Sequence, residues 1–483
     1  MTSLSFYLAR AYSAMAITFK SPLFPDIRFY ILLAFLLRLT GITNPPLEMG
    51  HNWRQATGLM VSRNFLEVNS CILYPRVDDN GGQSGIIGME FPVMNYTYFL
   101  IAKIFGYTHW YGRLINLLVS SFGIYFFYLL TKKYINERTA FFSTLMLLSS
   151  IWFSYSRKMM PDTFCISLML IGIYYGMKYL EEGRKLFLFL FFFFSSLGIL
   201  SKIPAGIYMI LFLFPVLAGD FPKGRKILFC VSGAVTMMLV YAWYFMWNKH
   251  LSELSGIWYN NGVSLSRGFG EISRHVGEAM EKFYFSAFDG FIFFACFIAG
   301  LFIAFRKKNF RVIYIFSSVG ILFLLYIFKS GFFFYHHNYY SIPIVPVMAL
   351  VAGYALANLN REWLVTILLL GGITEGIANQ QHDFFIKDSE KYKLESGKIA
   401  ERISKKDDLI LINGGLNPQQ IYLTHRKGWS CENDKLADTL FLKSLIENKC
   451  RFIFVDKHTF NSKLNFSIIF SDADFDVYEP DRQ

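Results

Sequence analysis

The residues best suited to chemistry lie in residues 44–112, a long polar stretch that follows the first apolar run. The candidate side chains in this stretch, with an interleaved tryptophan, are His51, Trp53, Arg54, Arg76, Asp78, Asp79 and Glu90. Guanidinium groups hold phosphate oxygens in charge-assisted hydrogen bonds, and a carboxylate can take a proton from a hydroxyl. The stretch therefore predicts a site for a phosphate and an attacking hydroxyl. The alternative is a solvated loop whose charges pair with each other, but loops of this length are uncommon unless they are functional or disordered.

Two single ionisable residues at the ends of apolar runs are further candidates. Asp162 follows Pro161, and this order is typical of the first turn of a helix, so capping alone would explain it. Lys202 could extend its charge to the membrane surface, as lysines at span ends commonly do. An ionisable residue at a membrane boundary is nevertheless a candidate site residue.

A third candidate is an aromatic stretch that contains two adjacent histidines. It runs from Tyr335 to Tyr340 and includes His336 and His337. Adjacent histidines point in different directions on a helix, which argues against one metal ion between them. Imidazole and phenol groups can instead donate hydrogen bonds to a phosphate or a sugar. The alternative is a belt of aromatic residues at the membrane surface.

Composition indicates which elements position these residues. The chain has 483 residues, of which 54% are hydrophobic and 17% charged. Apolar runs of about 17–22 residues are long enough to cross a bilayer. We therefore predict a polytopic α-helical membrane protein. Its predicted spans, about eleven in number, cover residues 28–43, 113–131, 140–155, 163–180, 186–201, 204–219, 227–247, 288–305, 312–328, 343–358 and 363–378.

Basic residues predict the orientation of these spans. They occur in every second link: Arg10, Lys20 and Arg28; Lys132, Lys133 and Arg138; Lys178, Arg184 and Lys185; Lys223, Arg225 and Lys226; Arg306, Lys307, Lys308 and Arg311; and Arg361. Positive charge marks cytoplasmic links, so the N-terminus is predicted to be cytoplasmic and all candidate site residues extracytoplasmic. Because the basic residues that give the net charge of +12 lie in these links, they predict contact with membrane lipids and no nucleic-acid partner. Residues 91–105 are too short for a span and predict a helix lying in the membrane surface.

The tail is a different kind of sequence and predicts a second domain. Residues 408–413 and 451–456 are typical of short buried strands, with a helix over 436–447 between them. We therefore predict a membrane module over residues 1–379 and a small extracytoplasmic α/β domain over residues 380–483. Cys431 and Cys450 could form a disulfide in that compartment.

The order of the motifs resembles the GT-C superfamily of glycosyltransferases that use polyprenyl-phosphate sugars. It is most similar to bacterial relatives of protein O-mannosyltransferases and of the transferase that adds aminoarabinose to lipid A. The motifs that carry the resemblance are His51–Ala56, Ser62–Phe65, Tyr74–Asp78, Glu90–Pro92, Trp110–Leu114, Met160–Asp162, Lys202, His337–Tyr340 and Arg426–Trp429.

The resemblance implies an enzyme of the bacterial inner membrane with a periplasmic active site. In such enzymes a carboxylate of the first extracytoplasmic loop acts near the acceptor and a second acid follows the third span, the position of Asp162. Many relatives have an acidic pair where this chain has His51–Arg54, and others have a Lys-Pro motif where it has Glu90–Pro92. The resemblance therefore makes Glu90 or Asp78 the expected base.

We accordingly expect sugar transfer from a polyprenyl-phosphate donor to a lipid, glycan or protein acceptor. The expected catalytic residues are Glu90, Asp78 and Asp162. The expected substrate-binding residues are His51, Trp53, Arg54, Arg76, Lys202, His336, His337 and Tyr340. No cofactor is required, and a divalent metal is compatible with the carboxylates without being demanded by a monophosphate leaving group. The alternatives are a ligase or polymerase of lipid-linked oligosaccharides and a non-enzymatic lipid transporter or flippase.

Overall fold

The computed structural model of the chain describes residues 26–48, 50–256 and 262–480, and most of these are helical. The predicted cytoplasmic N-terminus belongs to residues 1–25, outside the described residues. The helices of the membrane module are α1 Ile27–Arg38, α2 Asn52–Glu67, α3 Val93–Phe105, α4 Tyr111–Tyr134, α5 Glu137–Ser149, α6 Trp152–Tyr155, α7 Pro161–Glu182, α8 Lys185–Ser201, α9 Leu213–Ala218, α10 Lys223–Tyr241, α11 Asn248–Ser255, α12 Leu265–Arg274, α13 Val276–Glu281, α14 Ile292–Arg306, α15 Phe310–Ser330, α16 Phe332–His336, α17 Val345–Ala357 and α18 Glu362–Gln380.

Every predicted span coincides with a helical segment, so the chain is a polytopic α-helical membrane protein as predicted. By length and composition, four helices in the described part of the chain are long and apolar enough to cross a membrane. They are Tyr111–Tyr134, Pro161–Glu182, Lys223–Ser255 and Phe310–Ser330. The other predicted spans are shorter or less apolar helices. The predicted surface helix is α3, which packs on α2 and α4 by one face and leaves Leu100, Ile104 and Phe105 exposed on another.

Several helical segments near the predicted site depart from α geometry, among them a 3₁₀ turn over Asn338–Ser341. Residues Ile203–Phe212 form a 3₁₀-helix directly after Lys202. Residues Ala242–Trp247 form a π turn that joins α10 to α11, and Lys282–Ser286 form another after α13. Short π segments inside α-helices are frequent at functional sites. Apolar periodicity is blind to such changes in winding, so the sequence did not predict them.

The tail folds into a five-stranded sheet with helices, as predicted in outline. Its strands are β1 Leu409–Ile412, β2 Gly428–Ser430, β3 Cys450–Asp456, β4 Ser467–Ser471 and β5 Phe475–Glu479, in the order β2-β1-β3-β5-β4. Its helices are α19 Glu395–Ile403, α20 Gln419–Thr424, α21 Asn433–Ala437 and α22 Thr439–Glu447. Strands β2, β1 and β3 are parallel, whereas β5 runs antiparallel to β3 and to β4.

The tail differs from the sequence prediction in two details. The single predicted helix over 436–447 is two helices, because the side chain of Asp438 accepts hydrogen bonds from the N–H groups of Leu440 and Phe441 and starts a new helix there. The disulfide suggested for Cys431 and Cys450 is not formed, and both are buried free cysteines.

The tail packs against the first loop rather than standing apart from the membrane module. One apolar cluster contains Leu59 and Phe65 of α2, Tyr98 of α3, and Ile421 and Phe452 of the tail, all buried. A larger cluster fills the helix bundle below it. The first loop is therefore held between the bundle and the tail, where its polar side chains have fixed positions.

Candidate active site

Glu90 and Arg54 form an ion pair between the two helices of the first loop. Arg54 belongs to the first turn of α2, and Glu90 lies in the segment just before α3. The Glu90 side chain is 7% exposed and that of Arg54 is 31% exposed. Arg54 binds Oε1 of Glu90, whereas Oε2 is buried with no hydrogen-bond partner among the described residues. Buried polar atoms in folded proteins are nearly always satisfied, so this oxygen is available to a substrate hydroxyl.

Asp162 and Lys202 form a second buried ion pair. Asp162 stands in the first turn of α7, where the exposed N–H groups of the helix favour a negative charge. Lys202 joins α8 to the 3₁₀-helix, and its Nζ lies 2.5 Å from Asp162 Oδ1. The same ammonium lies over the rings of Tyr339 and Tyr340, at 4.8 and 5.6 Å from their centroids. Asp162 Oδ2 is buried and, within the described chain, also lacks a hydrogen-bond partner.

The two ion pairs belong to one site. The N–H of Phe91 donates to the carbonyl oxygen of Leu200 at 3.1 Å, which ties the segment of Glu90 to the end of α8 beside Lys202. A cavity of about 20 Å³ is lined by Arg54 and Glu90 of the first pair and by Pro161 and Ser201, the residues that precede Asp162 and Lys202. That volume holds roughly one water-sized group. An acceptor hydroxyl is such a group.

Electrostatics favour the charged forms of Glu90 and Lys202. Burial raises the pKa of Glu90, but the charges of Arg54 and Lys202 outweigh burial and hold its pKa below the usual value of 4.5. Burial lowers the pKa of Lys202, but the charge of Asp162, with a smaller contribution from Glu90, raises its pKa above the usual 10.5. The site therefore contains a carboxylate and cations together at neutral pH.

Two histidines, His51 and His337, lie at the same end of the bundle as the two ion pairs. The His51 ring has its centroid 4.8 Å from that of Tyr339, 5.6 Å from that of His337 and 5.7 Å from that of Tyr155. Burial lowers the pKa of His51 to about 3, and the charge of Lys158 contributes to this shift. Burial likewise lowers the pKa of His337 to about 4. Both rings are thus neutral at pH 7 and can donate one hydrogen bond and accept another.

Behind these residues lie buried ion pairs that the sequence did not predict. Glu48 contacts Arg113 at 3.1 Å and Arg157 at 3.3 Å, and all three side chains are at most 1% exposed. Lys158 is paired with Asp383. Glu48 lies at the start of the polar stretch of the first loop, and this position could have marked it as a candidate site residue. The partners of each acid come from distant segments of the chain, and their contacts could not be read from the sequence.

Asp78, an expected base, lies in a different environment. Its Oδ2 accepts from Arg63 at 2.7 Å and its Oδ1 from Asn64 at 2.9 Å, so both oxygens are occupied. Its carbonyl oxygen accepts from the N–H of Gly428 in the tail. No contact among the described residues joins it to Glu90. These contacts are those of a residue that docks the tail on the first loop.

Three of the expected binding residues, like Asp78, take no part in the ion pairs Arg54–Glu90 and Lys202–Asp162. Arg76 donates to the carbonyl of Tyr74 at 3.2 Å. Trp53 is 52% exposed at the start of α2. His336 is exposed and stacks on Phe332 at 4.8 Å. Their predicted roles in binding require a substrate that extends beyond the two ion pairs.

No group of three or more His, Cys, Asp or Glu side chains that could hold a metal ion occurs in residues 26–48, 50–256 and 262–480. Arg54 and Lys202 supply positive charge beside the carboxylates.

The sequence and the fold are both similar to known proteins. The family described as dolichyl-phosphate-mannose-protein mannosyltransferase matches residues 90–247, a segment that starts at Glu90 and includes Asp162 and Lys202. The crystal structure of ArnT from Cupriavidus metallidurans bound to undecaprenyl phosphate is similar over 94% of this chain and 97% of that one, with a TM-score of 0.62 and 12% identity. The chain has the GT-C glycosyltransferase fold.

Two further similarities agree with the GT-C fold. The archaeal oligosaccharyltransferase AglB from Archaeoglobus fulgidus, in complex with an inhibitory peptide and a dolichol-phosphate, matches 88% of this chain and 69% of its own, with a TM-score of 0.56 and 11% identity. An uncharacterized protein of Aquifex aeolicus is 24% identical over 313 residues, which are 59% of this chain and 58% of that relative.

Proposed function

We propose that this GT-C protein transfers a sugar from a polyprenyl-phosphate donor to a hydroxyl of a lipid, glycan or protein acceptor. We further propose that it acts on the periplasmic side of a bacterial inner membrane. The observation that carries the proposal is the pair of buried carboxylates, Glu90 and Asp162. Each has one oxygen on a cation and one without a partner among the described residues.

In the proposed reaction, the unpartnered oxygen of Glu90 takes the proton of the acceptor hydroxyl. The acceptor oxygen attacks the anomeric carbon, and the bond from that carbon to the phosphate oxygen breaks with its electrons passing to the phosphate. Lys202, oriented by Asp162, and Arg54 stabilise the charge that develops on the leaving polyprenyl phosphate. The neutral rings of His51 and His337 offer hydrogen bonds to the sugar.

Asp78 is a weaker candidate for the base than Glu90. Both of its oxygens are already engaged by Arg63 and Asn64. A group that must accept a proton from the substrate has to come within hydrogen-bond reach of it. We therefore assign proton transfer to Glu90 and leave Asp78 with the docking of the tail.

The distribution of charge also favours an enzyme over a transporter. A transporter commonly binds its substrate near the middle of the membrane, between helices that are broken there. Here Asp162 begins α7, Lys202 follows α8, and His337 lies between α15 and α17. All three stand at helix ends on one side of the bundle.

The test measures turnover of purified protein with labelled polyprenyl-phosphate sugars, from one sugar unit to several, and a panel of lipid, glycan and peptide acceptors. We expect Glu90→Gln to lower kcat by about 10²–10⁴-fold, the usual contribution of general acid–base catalysis. Asp162→Asn should lower it as well, and Asp78→Asn should retain turnover. The control is Glu181→Gln, which removes an ion pair with Lys133 from the other end of α7. Full activity of both Glu90→Gln and Asp162→Asn would disprove the mechanism.

A further inference from the structure

The π turn Ala242–Trp247 and the residue that follows it contact the backbone of both segments that carry the ion pairs. Trp243 Nε1 donates to the carbonyl oxygen of Met89 at 3.0 Å, and the Tyr244 hydroxyl donates to the carbonyl oxygen of Leu200 at 2.8 Å. Asn248 accepts from the Met89 N–H at 3.1 Å and donates to the Met89 carbonyl oxygen at 2.9 Å. Met89 directly precedes Glu90, and Leu200 precedes Lys202 by two residues.

These hydrogen bonds fix orientation as well as position. Asn248 binds both the N–H and the carbonyl oxygen of Met89, as a neighbouring strand would, and so restricts the peptides on either side of that residue. The Leu200 carbonyl oxygen accepts from Tyr244 and also from the Phe91 N–H at 3.1 Å. One short piece of helix therefore holds Met89 directly, and it holds Phe91 through the shared carbonyl oxygen of Leu200, two residues before Lys202.

The contacts are protected from solvent. Trp243 is 5% exposed, and Tyr244 and Asn248 are each 1% exposed. The Trp243 ring also packs edge-on against Phe91, with centroids 4.8 Å apart. A buried side-chain hydrogen bond to backbone has no water to replace it when it is removed, so the segment it held can shift.

We infer that Trp243, Tyr244 and Asn248 are positioning residues that set the separation of Glu90 from Lys202. The inference rests on the proposed function, because it gives the two groups a joint task in one transfer step. Displacements near 1 Å from productive geometry can reduce a rate by about 10²-fold. The π turn places all three donors on the face of the helix that meets the loop.

The test compares Asn248→Leu and Trp243→Phe, which replaces the indole by a smaller ring without an N–H, with Thr236→Val. Thr236 lies on α10 of the same continuous helix and shares a buried 2.9 Å hydrogen bond with Ser196, away from the site. We expect each of the first two variants to lower kcat by about 10–10²-fold, with less change in the donor KM. The acidic limb of the pH profile should move to higher pH, because Glu90 no longer faces its cations at the same distance. Thr236→Val should change neither kcat nor the acidic limb of the pH profile. An unchanged kcat in Asn248→Leu and Trp243→Phe would overturn the inference.

A second measurement separates this inference from the proposed function. The thermal unfolding midpoint is compared for Asn248→Leu, Glu90→Gln and the double variant. A positioning contact predicts that the double variant loses less than the sum of the two single shifts. Additive shifts would overturn the positioning role even if Glu90→Gln abolished transfer. If the shifts in unfolding midpoint are not additive but Glu90→Gln retains turnover, Glu90 is not the base. The positioning contact would then still stand.

Discussion

The feature that distinguishes Glu90 and Asp162 from the buried acids Asp78 and Glu48 is a second carboxylate oxygen with neither a hydrogen bond nor an ion pair among the described residues. Both oxygens of Asp78 accept hydrogen bonds. Each oxygen of Glu48 faces a guanidinium group, although its Oε2 has no hydrogen bond among the described residues. Glu90 and Asp162 each keep one buried oxygen without a partner among the described residues. Burying a carboxylate oxygen without a hydrogen bond is costly, and such groups in native structures commonly have a functional role. The same chemical group therefore has a structural role in one environment and is available for reaction in another.

The charge states at the site predict a broad pH optimum. The pKa of Glu90 is held below 4.5 and that of Lys202 above 10.5, so the carboxylate is lost only in acid and the ammonium only in strong base. The pKa values of His51 and His337, about 3 and about 4, leave both rings neutral near pH 7. We expect kcat to be level from about pH 5.5 to about pH 9.5. A step near pH 6.5 that disappears in His51→Gln or His337→Gln would contradict the neutral imidazoles.

Sequence reasoning identified part of the site and missed what depends on contacts between distant helices. Glu90 and Arg54 were candidates because they lie in a long polar loop. Asp162 and Lys202 were candidates because an ionisable side chain at the end of an apolar run is conspicuous. Their pairing as Arg54–Glu90 and Lys202–Asp162 was not predicted. The spacing of charges within a loop also could not separate Glu90 from Asp78, because their difference lies in which neighbours reach each carboxylate.

At the scale of elements, apolar runs gave reliable helices because a membrane span is mainly a matter of length and hydrophobicity. The same criterion could not predict how a helix is wound. The 3₁₀-helix after Lys202 and the π turn before Asn248 keep the apolar composition of their neighbours. In the tail, β1 and β3 are buried runs that the sequence predicted, whereas β2 has only Gly428, Trp429 and Ser430 and gives no periodic signal.

Glu48 holds together the elements beneath the site. It pairs with Arg113 of α4 and with Arg157, which precedes α7. Removing one member of a buried charged group leaves the others uncompensated, at a cost of about 3–5 kcal/mol. We therefore expect Glu48→Gln to lower the free energy of unfolding by that amount, measured by thermal or chemical unfolding in detergent.

The matched control for this prediction is Glu137→Gln. Glu137 pairs with Lys132, but their side chains are 66% and 45% exposed. Exposed pairs contribute about 0–1 kcal/mol, so the control should unfold almost as the parent protein does. Equal losses in the two variants would mean that the buried network is not stabilising.

At the scale of the whole molecule, the two ends of the bundle differ in charge and in contacts. The basic links meet at one end, where Lys133 pairs with Glu181, Arg225 donates to the carbonyl oxygen of Glu181 at 2.7 Å, and Arg311 donates to that of Tyr134 at 3.0 Å. The first loop and the tail meet at the other end. The alternation of basic links predicts that the first of these ends is cytoplasmic and that the site, at the other end, is extracytoplasmic.

Native and introduced cysteines can test that orientation. Cys71 is exposed in the first loop, whereas Cys165, Cys296, Cys431 and Cys450 are buried. A membrane-impermeant maleimide added to intact cells with a permeable outer membrane should label Cys71. Labelling should be lost in Cys71→Ser, which also reveals any contribution from Cys230, the other exposed cysteine. Arg184, whose side chain is 71% exposed in the link between α7 and α8, provides a labelling position at the opposite end of the bundle. Arg184→Cys in the Cys71→Ser background should react only after the inner membrane is permeabilised, because positive links stay in the cytoplasm. The reverse pattern would place the ion pairs in the cytoplasm, where the proposed periplasmic transfer could not occur.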